Sequence, residues 1–366
     1  STSVLCPMPS RFSRTHALQV LVWMQETLQL PKMPLSAVER AATLVGERNK
    51  RHELRKWLQD LIWDGHERLA LMLADGWGAE ETPYTMAVGR CWLIGMVARI
   101  FSPGEKMDTL PVFEGRQGIL KSSSLQALVP DKKYFLSSNI DPIRNQKDFL
   151  SSLQGKWLIE FAEVNRYLSR ESHADDMKAL ISIEVDTYRV PYGATTMDYP
   201  RQCVFAGTLN SREWNADQTG GRRFWPVECG EINLDYITAN REQLFAEAVH
   251  RYRKGESWWD VPRGTAEEQQ EQRRIKDEWE GLIERYITEG VDRTMPGPAQ
   301  WYPRVSPLET LTVMDILTNC LGVPEGRCDR SLQMRVSNCL KALDWEKFRS
   351  NVAGTRQNKY RRVFRR

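Results

Sequence analysis

Leu110-Pro111-Val112-Phe113-Glu114-Gly115-Arg116-Gln117-Gly118-Ile119-Leu120-Lys121-Ser122-Ser123 decides how this chain is read. A short apolar run enters a loop holding two glycines. Lys-Ser follows, and Ser124 to Val129 reads as helix. This is the layout of a phosphate-binding loop. Loop N–H groups converge on phosphate oxygens, and the helix N-terminus adds its dipole. Gly115, Arg116, Gln117, Gly118, Ile119, Leu120, Lys121, Ser122 and Ser123 are the expected cradle for ATP. Lys121 would reach the β- and γ-phosphates, and Ser122 would hold Mg²⁺. One position departs from the pattern: Leu120 stands where Gly usually precedes the Lys, and Leu lacks glycine's backbone freedom. The alternative is an ordinary Gly-containing turn.

Downstream, Trp157 to Phe161 is a second apolar run, in a stretch carrying Glu160 and Glu163. An acid at such a strand end holds Mg²⁺ and polarises the attacking water. Glu163, at the expected strand terminus, is the metal-side candidate together with Ser122; Glu160 lies within the strand. Two solvent-facing carboxylates are the alternative. A third run, Cys203 to Ala206, closes on Gly207-Thr208-Leu209-Asn210, where Asn210 could orient water or simply end a strand. Arg222 and Arg223 follow on a Gly-rich loop. An arginine supplied to a neighbouring subunit's phosphates raises the rate of transfer by about 10³–10⁵. A solvated Arg pair is the other reading.

Short strands alternating with helical segments, including the alternation Ile181 to Val185, argue for an α/β core over residues 105–232. Residues 1–104 read as a helical, collar-like N-terminal region. It has a turn at Trp63-Asp64-Gly65-His66-Glu67-Arg68 and a helix from Pro83 to Phe101, stopped by Ser102-Pro103-Gly104. Residues 233–292 turn helical again. Thr265 to Thr288 carries the apolar stripe Ile275, Trp279, Leu282, Ile283 and Tyr286. A Pro-rich linker, Val291 to Pro307, opens the last region, 293–366. There, helical patterns at Thr312–Leu321 and Ser331–Leu343 precede a basic ribbon. Two helices and a ribbon suggest a winged-helix-like domain whose second helix reads DNA.

The 366 residues carry a net charge of +3, which excludes a protein that is basic throughout. The average hides an asymmetry. Residues 327–366 hold twelve basic and three acidic side chains, a net of +9 that leaves −6 for residues 1–326. Such a basic end attracts phosphates. No stretch reaches the 18 apolar residues of a membrane span, and no leader pattern opens the chain. The seven cysteines are scattered without zinc spacing, as expected of free thiols in a reducing cytoplasm.

The order of these motifs resembles the virulence-associated protein E family, phage- and mobile-element ATPases similar to superfamily 3 hexameric helicases. The resemblance covers the chain from about Arg51 onward. It rests on Trp63-Asp64-Gly65 with Arg68, Phe113-Glu114-Gly115 with Gln117-Gly118, Lys121-Ser122, and Glu160 with Glu163. It continues through Lys178, Asp186-x-Tyr188-Arg189-x-Pro191-Tyr192-Gly193, Pro200-Arg201, Gly207-Thr208 with Asn210, and Gly220 to Pro226. It implies an AAA+-like P-loop ATPase core that forms a ring, hexameric in the family, with ATP and Mg²⁺ between subunits. Lys121 and Ser122 would be the Walker A residues, Glu163 the main Walker B carboxylate with Glu160 its companion, Asn210 a sensor, and Arg222 or Arg223 the residue acting in trans. A hairpin within Asp186 to Arg201 would project into the pore, where basic groups meet phosphates and aromatics stack on unpaired bases. Lys178, Arg189 and Tyr192 are the DNA-binding candidates, and packing against the core is their alternative role.

The leading expectation is an ATP-driven DNA helicase or translocase acting on single-stranded and double-stranded DNA in replication of a phage or mobile element. The runner-up is an origin-binding initiator that uses nucleotide for assembly, with little or no unwinding. No carboxylate-rich constellation outside these motifs speaks for a nuclease or primase. A primase domain could lie upstream if the chain is part of a longer protein.

Overall fold

A computed structural model describes residues 12–48, 51–188, 196–215, 221–288, 308–352 and 355–363. The chain forms two compact units, Ser1–Asp60 and Leu61–Arg366. In the first, helices α1 (Arg14–Glu26) and α2 (Leu35–Arg48) lie against each other, and α3 (Glu53–Asp60) follows. Ser13 caps α1, its hydroxyl accepting from the His16 N–H. Leu18 and Val22 of α1 are 46% and 47% exposed.

The second unit begins with α4 (Met72–Trp77) and α5 (Pro83–Phe101). Thr82 caps α5 and Pro83 takes its first position, where a missing N–H costs nothing. The elements β1 (Leu110–Glu114), α6 (Lys121–Leu128), β2 (Phe135–Ser137), α7 (Gln146–Ser152), β3 (Leu158–Ala162), α8 (Asn165–Leu168) and α9 (Glu171–Ile181) come next. They are followed by β4 (Val185–Tyr188), β5 (Met197–Pro200), β6 (Val204–Leu209), β7 (Phe224–Glu228) and α10 (Leu234–Arg253). Five of these strands form a parallel sheet in the order β2-β3-β6-β1-β7, while β4 and β5 pair as an antiparallel ribbon.

Strand alternation sorts the sheet's residues between two faces. Leu110, Val112, Ile159, Phe161, Phe205 and Leu209 share one core with Phe149 of α7, Leu168 of α8 and Met177 of α9. On the opposite face Phe113 meets Trp77 and Trp92, with ring centroids 5.6 and 5.4 Å away, and Trp157 meets Phe245 of α10 at 4.7 Å. The result is a mixed α/β fold: a parallel central sheet with helices on both sides. Glu160 and Thr208 have the parity of that second face, where α6, α5 and α10 lie.

The C-terminal part contains α11 (Arg263–Glu271), α12 (Glu278–Thr288), β8 (Thr310–Leu311), α13 (Val313–Asp315), α14 (Arg330–Ala342), β9 (Trp345–Val352) and β10 (Thr355–Arg362). The last strands form a sheet ordered β8-β10-β9. Their core joins Ile283, Tyr286 and Ile287 of α12 to Leu317, Val336, Leu340, Trp345 and Tyr360.

Several sequence expectations shift. The alternation Ile181 to Val185 is not one strand: Ile181 ends α9 and the strand starts at Val185. Burial of Met177 and Ile181 against the sheet overrides the period-2 pattern. Strands β2 and β7 were not legible; β7 contains Pro226 and lies at the sheet edge, where a missing donor is tolerated. The helical stretch Thr265 to Thr288 breaks between α11 and α12, because Trp214 and Asn215 N–H groups both donate to Arg273 O, and Ile275 N–H to Asn215 O. Residue 104 does not separate compact units, since α5 packs on α10 and β6. Likewise α12 shares its core with the C-terminal helices and ribbon. The Pro-rich linker lies outside the described residues.

Candidate functional site

The carboxyl end of β1, flanked by β6 and β7, opens into the loop that leads to α6. Open α/β sheets place ligands at the carboxyl ends of their strands. Gly115 has φ 156° and Gly118 φ 85°. A Cβ on Gly115 would come within 2.8 Å of Ile119 Cδ1 and 3.1 Å of Cys229 O, so a side chain there would crowd the loop. Leu120 also adopts the left-handed conformation, with φ 71° and ψ 25°. The fold thus demands glycine-like geometry where the phosphate-loop pattern has Gly. For an L-residue this costs about 1–2 kcal/mol. With its side chain 49% exposed, Leu120 gains only partial burial in return.

Lys121 opens α6 and is 7% exposed. Its Nζ donates to Gly115 O and Arg116 O, each at 2.8 Å, and to Asn210 Oδ1 at 3.0 Å. Burial lowers the Lys121 pKa from its ordinary value. Ser122 Oγ donates to Glu160 Oε1 at 2.5 Å, and Thr208 Oγ1 donates to the same oxygen at 2.7 Å. Glu160 is fully buried, yet its Oε2 has no hydrogen-bond partner among the described residues. A buried carboxylate oxygen without a partner is costly and invites a cation.

Glu163 follows β3 with φ 51° and an exposed side chain. It is therefore Glu160, not the expected Glu163, that meets Ser122 within hydrogen-bonding distance. Arg222 is exposed in the turn before β7, whereas Arg223 Nε lies 3.7 Å from Asp108 Oδ2. The two arginines are thus not equivalent: Arg223 is half-buried beside Asp108, its Nε without a hydrogen-bond partner among the described residues.

The ribbon β4–β5 comes between β3 and β6 in chain order, where a hairpin was expected. Arg189 and Tyr192 lie outside the described residues. Lys178 is not on the ribbon but on α9, its Nζ 2.6 Å from Asp175 Oδ1. Arg201, at the ribbon's base, is 2% exposed. It forks onto Asp186 through Nε (2.9 Å) and Nη2, and donates through Nη1 to Leu180 O at 2.6 Å. It holds the ribbon to α9.

Two anchors were missed in the sequence. Glu114 is buried just before the loop. It accepts from Trp214 Nε1 at 2.9 Å and Arg273 Nε at 2.7 Å, so it ties the loop to the segment after Asn210 and to the start of the C-terminal part. Glu247 of α10, also fully buried, accepts from the N–H groups of Arg68 and Leu69. It fastens the Trp63 to Arg68 turn, in which Asp64 clasps Arg68 at 2.7 and 2.8 Å. A carboxylate in an otherwise apolar stretch was the available signal, since such groups are buried only with partners.

A model of the virulence-associated protein E-like domain matches residues 58–278, more than half of the chain. The chain belongs to this family. No curated protein matches it. Among solved structures, an apo structure of the NrS-1 C-terminal region is similar at 15% identity and a TM-score of 0.46, covering 84% of this chain and 78% of that one. The A form of that region gives 17% identity and 0.45 with the same coverage. A JCV helicase structure gives 13% identity and 0.30, covering 71% of this chain and 77% of that one.

Among the described residues, no group of three His, Cys, Asp or Glu could hold a metal ion, and no helix is long and apolar enough to cross a membrane. The six described cysteines are free thiols.

Proposed function

We propose that the chain is an ATP-hydrolysing P-loop motor, AAA+-like in its core, that assembles as a ring and moves or unwinds DNA during replication of a phage or mobile element. One observation carries this reading. Ser122 and Glu160 share a hydrogen bond beside Lys121, and the second oxygen of Glu160 is buried with no partner. Mg²⁺ is characteristically bound by one or two carboxylates together with phosphates and waters, which suits this donor set better than a closed protein cage. Bound there, it would neutralise charge on the transferring phosphoryl group.

In this reading the loop from Gly115 to Ser123 cradles the phosphates and Lys121 neutralises them. Ser122 and Glu160 stand on the metal side. Glu163, exposed at the strand end, is free to act on the attacking water. Exposed Arg222 is the group available to a neighbouring subunit. The ribbon β4–β5 is the expected pore element for single-stranded DNA. The basic C-terminal helices and ribbon, read as a winged-helix-like domain, supply a contact for double-stranded DNA.

Phosphate release from Mg²⁺·ATP by the full chain, alone and with single-stranded DNA, double-stranded DNA or RNA, tests the proposal. DNA-stimulated hydrolysis that Lys121→Ala abolishes is the expected result. No hydrolysis by the wild-type chain under any of these conditions would end the enzyme reading. Native mass spectrometry with an ATP analogue and single-stranded DNA tests the ring. The strained backbone of Leu120 favours a second reading: an origin-binding initiator that uses nucleotide for assembly with little or no unwinding. ATP-dependent strand displacement on a forked substrate separates the two.

A further inference from the structure

Lys121 and Asn210 reach each other from different elements, the loop after β1 and the end of β6. An ammonium has three donors and no acceptor. In this chain its three hydrogen bonds go to Gly115 O, Arg116 O and Asn210 Oδ1. The lysine that would serve a phosphate is thus saturated by the protein itself. The amide's orientation follows from the same chemistry. Because an ammonium only donates, Asn210 must turn its oxygen toward Lys121. Its NH₂ group, the half that could donate to a phosphate, is thereby turned away.

A phosphate entering the loop needs what Asn210 now holds. We infer that Asn210 is a positioning residue that keeps Lys121 self-liganded in the empty site. It releases the ammonium, with reversal of its own amide, when a nucleoside di- or triphosphate binds. This inference rests on the nucleotide reading above. Asn210 therefore opposes phosphate binding before it assists hydrolysis. Its two effects have opposite signs and are separable. Loss of the amide removes a competitor for Lys121 in every bound state, but it removes the donor that a terminal phosphate could use only in the triphosphate state.

The probe is a fluorescent mant derivative of ADP, titrated with Mg²⁺ into the full chain. Asn210→Ala binds it about tenfold more tightly than wild type, the scale of one hydrogen bond to a charged group. Asn210→Asp binds it at least about tenfold more weakly, because a carboxylate pairs with the ammonium and repels phosphate. ATP hydrolysis falls in both variants. A purely structural role would weaken binding in both, so the opposite shifts are diagnostic. Asn210→Ser, whose hydroxyl is too short to reach Lys121, repeats the Ala result. The inference is overturned if wild-type binding is intact and lost on Lys121→Ala, yet Asn210→Ala and Asn210→Ser bind no more tightly than wild type. If the wild-type chain binds no mant-ADP at all, the nucleotide reading itself falls and the inference falls with it.

Discussion

Replacing Asp186 by Asn tests the idea that charge, rather than shape alone, holds the ribbon to the core. Asp186 is 5% exposed and faces Arg201, itself 2% exposed. A second buried guanidinium stands close by: Arg99, 1% exposed, donates at 3.3 Å to Arg201 O and to Met107 O. Burial pulls the Arg99 pKa down to about 10, a sign of how little solvent reaches this place. Asn keeps the shape of Asp but removes the carboxylate forked onto Arg201. Breaking one side of a buried pair costs about 3–5 kcal/mol, because the remaining charge stays desolvated. At about 2 °C per kcal/mol for a unit this large, the melting temperature falls by about 6–10 °C. Circular dichroism melts at pH 7 read this directly. The double variant Asp186→Leu/Arg201→Met recovers most of the loss, since no uncompensated charge is left. A melt of Asp186→Asn within about 1 °C of wild type, or a double variant as unstable as the sum of the singles, would refute the electrostatic account.

Glu160→Gln is expected to remove Mg²⁺-dependent nucleotide binding in a fluorescence titration. Glu163→Gln keeps binding and lowers the hydrolysis rate by about 10²–10⁴, the range of a general base. Arg222→Ala lowers hydrolysis by about 10³–10⁵. Mixing it with Lys121→Ala subunits restores part of the rate, because each supplies what the other lacks. Arg223→Ala gives no such complementation and instead lowers the melting temperature through loss of its Asp108 contact. Arg68 holds the Asp64 carboxyl down at about 2 against an ordinary 3.8, chiefly by hydrogen bonding. Since the folded value lies below the unfolded one, the stabilisation from this clasp is complete above pH 4 and fades as pH falls from 3.8 toward 2. Trp63 fluorescence, followed from pH 5 to 2, should change in that window in wild type and be insensitive there in Asp64→Asn.

Much of the central sheet could be read directly. β1, β3, β6 and α5 announce themselves because local pattern and burial agree: apolar runs bounded by Gly, and a long apolar helix between Thr82-Pro83 and Ser102-Pro103-Gly104. Strands β2 and β7 did not, because one is three residues long and the other carries a proline. The pairing of Ser122 with Glu160 needed the third dimension. Sequence position puts Glu163 at the strand end, but alternation puts Glu160 on the face shared with α6. The break between α11 and α12 is equally non-local. Arg273 is drawn in by Glu114, 159 residues away along the chain, and no helical pattern records that. Leu120 shows the converse, a residue whose identity argues against the loop while its backbone adopts the glycine conformation anyway.

Strand β6 is buried along its whole length and hydrogen-bonded to β3 on one side and β1 on the other. Six residues of strand span about 20 Å. Arg201, the clasp of the ribbon, lies just before it, and Asn210, the lysine's partner, just after. Sliding β6 would mean breaking two ladders at once, so it is a fixed spacer within the sheet. The strand therefore fixes the distance between the ribbon's clasp and the residue that holds Lys121.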